Sequence, residues 1–191
     1  MQTRSKNRKQ EIVEVVAELL QTHGFECFSY RDLSDRLGIT KASIHHHFPK
    51  KEDLGVALCE WIQRWHERSF AKINAMPDSA WIKLRRYLSN SLDFARGENK
   101  ICPLSSLQGD IASLPISMHE ALRKLDEHEL SFIAALLQDG RDSGELNFPG
   151  DVYNQAVLFV LACKGALQYS RVHGPGLFED TMAQFELLLK A

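Results

Sequence analysis

Lys41, Ser43, His45, His46 and His47 fall within seven residues, and Lys50 and Lys51 follow directly after Phe48-Pro49. Three imidazoles in a row could hold a metal, carry out acid–base chemistry, or meet DNA. Consecutive helical residues point about 100° apart, so the three cannot face one metal ion. No carboxylate pair or nucleophile stands at a spacing that would place it beside them, which removes a triad-type catalytic site. The four cysteines, Cys27, Cys59, Cys102 and Cys163, are widely spread and form no Cys-x-x-Cys pair, so no zinc module is expected. The sequence therefore offers no catalytic residue, no metal ligand and no cofactor site. A nucleic-acid contact needs polar groups that reach phosphates or base edges on one face of a helix and apolar anchors on the other. Lys41, Ala42, Ser43, His45, His46 and His47 supply the first, Ile44 and Phe48 the second. Lys41 suits a phosphate or a guanine edge, Ala42 a thymine methyl, and Ser43 can donate or accept. Imidazoles gain charge below about pH 6.5, so a contact through His45 is expected to weaken as pH rises. Solvated surface histidines are the alternative reading.

The elements that must position these residues read as helical throughout. The 191 residues are 44% hydrophobic, enough to bury one good core or two small ones. Twenty-three basic and 25 acidic residues leave a net charge of −2, so the total demands neither a nucleic-acid nor a membrane partner. The distribution says more: Arg4, Lys6, Arg8 and Lys9, then Arg36, Lys41, Lys50 and Lys51, form two basic clusters without an acid among them. The N-terminus has no apolar signal core, and no apolar run approaches the ~18 residues that span a bilayer. The longest, Ala156 to Cys163, reads as a buried helix. A reduced, cytoplasmic protein with no membrane partner is expected.

Apolar residues recur three and four apart, and strict alternation never persists. A first helix places Ile12, Val13, Val16, Leu19 and Leu20 on one face and stops at His23-Gly24. Ser29 and Asp32 have capping-box spacing before a second helix that ends at Gly38. Thr40 starts a third helix of about two turns, ended by Phe48-Pro49. So short a helix needs tertiary packing, for which Leu33, Leu37, Ile39, Ile44, Phe48 and Leu54 are available. This is a helix-turn-helix in a three-helix bundle. Further helices are predicted over 52–70, 79–96, 116–140, 151–173 and 178–190, with a broken helix in "ENKICPLSSLQGDIASLP" lining an interior space.

The stretch "LSDRLGITKASIHHHFPKKEDL" resembles the helix-turn-helix of the tetracycline-repressor (TetR) family of bacterial regulators, and the likeness runs over about Arg8 to Trp61. Carried over, it implies that Tyr30 and Arg31 begin the supporting helix near DNA. It also implies that Lys41, Ala42, Ser43, His45, His46 and His47 occupy the contacting helix, and that Lys51 holds a phosphate at the start of the fourth. A phosphate there also suits the positive end of a helix. His45 stands where the family usually has tyrosine, and Ala42 where glycine is common, so the operator sequence is not inherited. The resemblance further implies homodimers, with two contacting helices about 34 Å apart on double-stranded operator DNA.

The fold class implied is all-α: a helix-turn-helix DNA-binding domain over 1–51 and a helical ligand-binding and dimerisation domain over 52–191. Val157, Leu158, Val160, Leu161 and Ala162, with Gly165, then Met182, Phe185, Leu188 and Leu189, suit a four-helix interface between protomers or this chain's own core. Trp61, Trp65, Trp81, Tyr87, Phe94, Leu104, Leu107 and Phe132 are candidates for a small-molecule effector pocket, or again for core. Cys102 opens the broken segment. "KICPLSSL" is similar to a TetR subgroup, some of whose members sense electrophiles through cysteine, although Ile101 stands where that subgroup often has glycine. The expected function is a non-enzymatic repressor released from DNA by a small apolar or electrophilic molecule. An activator, a ligand-free nucleoid-binding factor, a Cys102-based sensor and a small helical enzyme or carrier are the alternatives.

Overall fold

The helical periodicity of the sequence is matched by helices along the whole described chain. The computed structural model describes the backbone of residues 2–96 and 101–190, and the side chains of 8–90 and 101–190. In order, these residues form α1 (Gln2–His23), α2 (Tyr30–Leu37), α3 (Lys41–His47), α4 (Lys51–Asn74), α5 (Ala80–Arg96), α6 (Pro103–Gly109), a 3-10 turn (Ile111–Ser113), α7 (Ile116–Asp142), α8 (Val152–His173) and α9 (Gly176–Lys190). No helix among them is long and apolar enough to cross a membrane.

Two compact units result, one of residues 1–65 with 102–125, the other of 66–101 with 126–191. In the first, α1 buries Ile12, Val16 and Leu20 against Leu33 of α2, Ile44 of α3, and Leu54 and Leu58 of α4. Leu104 and Leu107 of α6, with Met118 and Leu122 of α7, complete this core. Polar ties fix α6: Ser106 Oγ donates to the Leu20 carbonyl at 3.1 Å, and Phe25 N donates to Asp110 Oδ2 at 2.8 Å. Ser117 of α7 hydrogen-bonds the Glu52 carboxylate of α4. Gly55 lets α7 close in, because a Cβ there would stand 2.3 Å from Met118 Sδ. These contacts carry the first unit past residue 51. The segment expected to line an interior space is, in α6, a packed helix whose apolar side belongs to this core.

The second unit buries Phe70, Leu84, Ile133, Phe159, Phe178 and Leu189 in one cluster. Phe70 and Phe132 stack in parallel with centroids 4.0 Å apart. Asp151 caps α8 by accepting from Asn154 N at 3.0 Å. Helix α4 runs beyond the predicted end at residue 70 to Asn74, since Ile73 continues the buried face for another turn. On α8 and α9, Val160, Phe185 and Leu189 are buried within the unit, whereas Leu158, Leu161, Leu187 and Leu188 are 54%, 62%, 67% and 55% exposed. Both helices are therefore apolar on a second, uncovered side.

Candidate nucleic-acid interface

Position in the sequence dictates how the short α3 is held. Ser29 accepts from the Arg31 and Asp32 backbone N–H groups, while the Asp32 carboxylate accepts from Ser29 N at 2.7 Å, a complete capping box. The Ser29 hydroxyl and backbone bonds hold the Asp32 carboxyl below the usual carboxylate range. Gly38, at φ 63°, takes the left-handed conformation that ends α2 and admits the turn. Thr40 Oγ1 then accepts from Ser43 N at 3.2 Å, and capping of this kind contributes about 1 kcal/mol. Ser34 Oγ donates to the Ile39 carbonyl at 2.5 Å and closes the turn. Ile44 is fully buried and Phe48 is nearly so, which fixes the rotation of α3 about its axis.

That rotation leaves Lys41, Ala42, His45 and His46 exposed, with Ser43 and His47 half-buried. His46 and His47 meet edge to face with centroids 5.3 Å apart. Burial, followed by the positive neighbours His46, Lys9 and Arg8, holds the His47 imidazole below its ordinary pKa. Tyr30 is half-buried and donates its hydroxyl to the Phe48 carbonyl at 2.8 Å, tying α2 to the end of α3. Burial, then the Asp53 charge, pushes its pKa up to about 12. Arg31 is exposed at the start of α2, 3.9 Å from Asp35. Lys51 is half-buried: its Nζ stands 3.5 Å from Glu26 Oε2 and over the Phe25 and Phe28 rings at 5.0 and 4.8 Å. The capping threonine and Lys9 escaped the candidate site. Lys9 Nζ stands over the Phe48 ring at 5.3 Å, so α1 brings a cation to the end of α3. The acid-free run at the N-terminus was its signal; Arg4 and Lys6 of that run lie outside the described side chains.

The residues expected to line an effector pocket divide between the units. Trp61, Trp65, Cys102, Leu104 and Leu107 belong to the first, and Trp81, Tyr87 and Phe132 to the second. The Phe94 side chain lies outside the described residues. Leu104 and Leu107 are fully buried, Trp81, Tyr87 and Phe132 nearly so, and Cys102 is half-buried at the N-cap of α6. Trp81 also lines an open groove of about 440 Å³ with Arg85, Phe178 and Met182. A polar group that sequence reasoning missed lies in the second core: Glu129 of α7, Lys164 of α8, Tyr87 of α5 and His66 of α4. Its signal was legible, since Lys164 is the one charge in the run from Ala156 to Leu167.

The described residues are all-helical, and their N-terminal unit contains a capped helix-turn-helix. The family model for bacterial regulatory proteins of the tetR family matches residues 12–58, which span this unit from α1 into α4. The whole fold matches that of a TetR-family transcriptional regulator from Agrobacterium tumefaciens with a TM-score of 0.92, at 25% identity over 98% of this chain and 100% of that one. The repressor NemR of Escherichia coli is 23% identical over 84% of this chain and 82% of its own length. The nucleoid occlusion factor SlmA of Vibrio atlanticus is 31% identical over 85 residues, and the match spans 44% of this chain and 42% of that protein. Its N-terminal unit thus matches the tetR family model, and its whole fold is similar to that of TetR-family transcriptional regulators. Regulators of this family are transcription factors and not enzymes.

Proposed function

We propose that this chain is a cytoplasmic, homodimeric repressor that binds double-stranded operator DNA through α3 and leaves it when a small molecule occupies the C-terminal part. The observation that carries the reading is the two-sidedness of α3, with Ile44 fully buried beneath an exposed Lys41, Ala42, His45 and His46. In this reading residues 1–51 face DNA, with Ser43, His47, Tyr30, Arg31 and Lys51 at the edges of the contact, and residues 52–191 bind effector and partner subunit. The uncovered Leu158, Leu161, Leu187 and Leu188 supply the dimer face, which a second copy would complete. Release requires an effector that binds the two conformations unequally. The apolar candidates for its site are Trp61, Trp65, Leu104 and Leu107 in the first unit or, alternatively, Trp81, Tyr87 and Phe132 in the second. An electrophile would act at Cys102, which stands half-buried at the N-cap of α6.

Sequencing DNA fragments retained by the protein, with and without candidate effectors, tests the reading. One enriched near-palindrome, lost on effector addition, is expected; retention of no sequence overturns it. Cys102→Ser should abolish release by electrophiles and keep DNA binding. The similarity to SlmA favours a second reading, a nucleoid-bound factor without effector, which predicts many retained sites across a genome and indifference to small molecules.

A further inference from the structure

The imidazole of His45 is held on two sides. Its Nδ1 lies 3.4 Å from the Pro49 carbonyl oxygen, and its ring packs on Tyr30 with centroids 4.6 Å apart. Tyr30 is itself fixed by its hydroxyl bond to the Phe48 carbonyl at 2.8 Å. A carbonyl oxygen only accepts, so the hydrogen bond to Pro49 requires the proton on Nδ1. A neutral imidazole with that proton leaves a lone pair on Nε2. Yet His45 belongs to the exposed side of α3, one turn after Lys41.

We propose that His45 reads one operator base pair through an unprotonated Nε2, selecting an amino-bearing major-groove edge, cytosine N4 or adenine N6; unlike the charged contact expected from the sequence, such a contact does not weaken as pH rises. This rests on the reading of α3 as the DNA-contacting helix. A lone pair repels a phosphate oxygen, which has no hydrogen to offer, and equally repels the guanine O6 and N7 acceptors. It attracts an amino hydrogen. Lys41, all donor, takes the complementary partners: phosphate or guanine. The two side chains, four residues apart on one face, thus divide the donor and acceptor edges between them. The residue is a specificity group, set in its tautomer by Pro49 and in its orientation by Tyr30.

The test is selection of bound sequences from randomised duplex DNA at pH 8, using the full-length chain and its His45→Phe variant. Phenylalanine keeps an aromatic ring on Tyr30 and lacks both ring nitrogens. The wild type is expected to prefer adenine or cytosine about fivefold or more at one position of each half-site. His45→Phe should lose that preference alone and keep the others. A second measurement does not depend on the variant's folding: replacing the selected base in the operator by its analogue without the exocyclic amino group should weaken wild-type binding about fivefold. Unchanged base preference with uniformly weaker binding would make His45 a phosphate contact and overturn the proposal. Equal binding of the analogue does the same. Failure of the wild type to enrich any sequence overturns the operator-binding reading, and this inference with it.

Discussion

Lys164 Nζ stands 2.7 Å from Glu129 Oε2, with 15% of the lysine and 5% of the glutamate side chain exposed. Tyr87 donates its hydroxyl to the other carboxylate oxygen at 2.8 Å. Burial alone would raise the Glu129 pKa. The charges of Lys164 and His66, with the bonds from Lys164 and Tyr87, outweigh it and keep the carboxyl below its usual value. Three helices, α5, α7 and α8, are joined through this one carboxylate.

Removing one partner of a buried ion pair costs about 3–5 kcal/mol. Glu129→Ala should therefore lower the unfolding free energy by that order in urea titrations. The double replacement Glu129→Leu with Lys164→Met should recover most of it. A loss below about 1 kcal/mol in the single variant would deny the pair this role.

His66 is 3% exposed, and burial pushes its pKa down to about 4; Glu129 opposes that shift, while Lys164 and His128 add to it. In the unfolded chain the imidazole takes a proton near pH 6.5. Between these values the unfolded state binds the extra proton, so stability falls as pH drops from about 6.5 to 4, by roughly 3 kcal/mol. Glu129, with its depressed pKa, contributes stability present above the ordinary carboxylate value and lost only as pH falls through its folded one. Thermal melts of wild type and His66→Phe at pH 7 and pH 5 should diverge in slope. Parallel slopes would mean that His66 stays hydrated.

Much of the first unit was legible because local chemistry decides it. The Ser29 and Asp32 spacing became a capping box, Gly38 took its left-handed turn, and Thr40 and Asp151 became N-caps. Each feature joins residues within about four positions, where sequence and structure are nearly the same information. The buried carboxylate group and the α6 ties were not legible as partnerships, because Asp110 meets Phe25 and Ser106 meets Leu20 across 85 and 86 residues. Periodicity tells which side of a helix is apolar and leaves open what covers it. Leu161 and Val160 look alike in the sequence, but one is 62% exposed and the other 3%.

Lys51 is the proposed phosphate contact at the start of α4, and it already has Glu26 at 3.5 Å. Phosphate would have to draw it from that carboxylate. Lys51→Ala should weaken operator binding and reduce the slope of log K against log salt by about 0.9. Glu26→Gln should tighten binding. Fluorescence titrations across salt concentrations read both, and an unchanged slope in Lys51→Ala removes the residue from the contact.

Leu161, 62% exposed on α8, tests the dimer face. Leu161→Glu places a charge where the proposed interface excludes water. Sedimentation velocity should show a monomer at concentrations where the wild type is a dimer, and operator affinity should fall at least tenfold, since each half-site then binds alone. A dimer of unchanged stability would move the interface elsewhere.

The Asp110 bond to Phe25 N and the Ser106 bond to the Leu20 carbonyl bear on how this protein can be cut and rejoined. The unit that holds the helix-turn-helix is discontinuous along the chain: the Leu20 carbonyl of α1 accepts from Ser106, and the Phe25 amide just beyond α1 donates to Asp110, more than eighty positions later. A chimera that transplants the first 65 residues alone would carry an open apolar flank where Leu104, Leu107 and Met118 belong, along with an orphaned Phe25 amide. With α3 as the proposed DNA-contacting helix, exchange of operator specificity between relatives is therefore better made by replacing side chains on α3 than by swapping whole N-terminal segments.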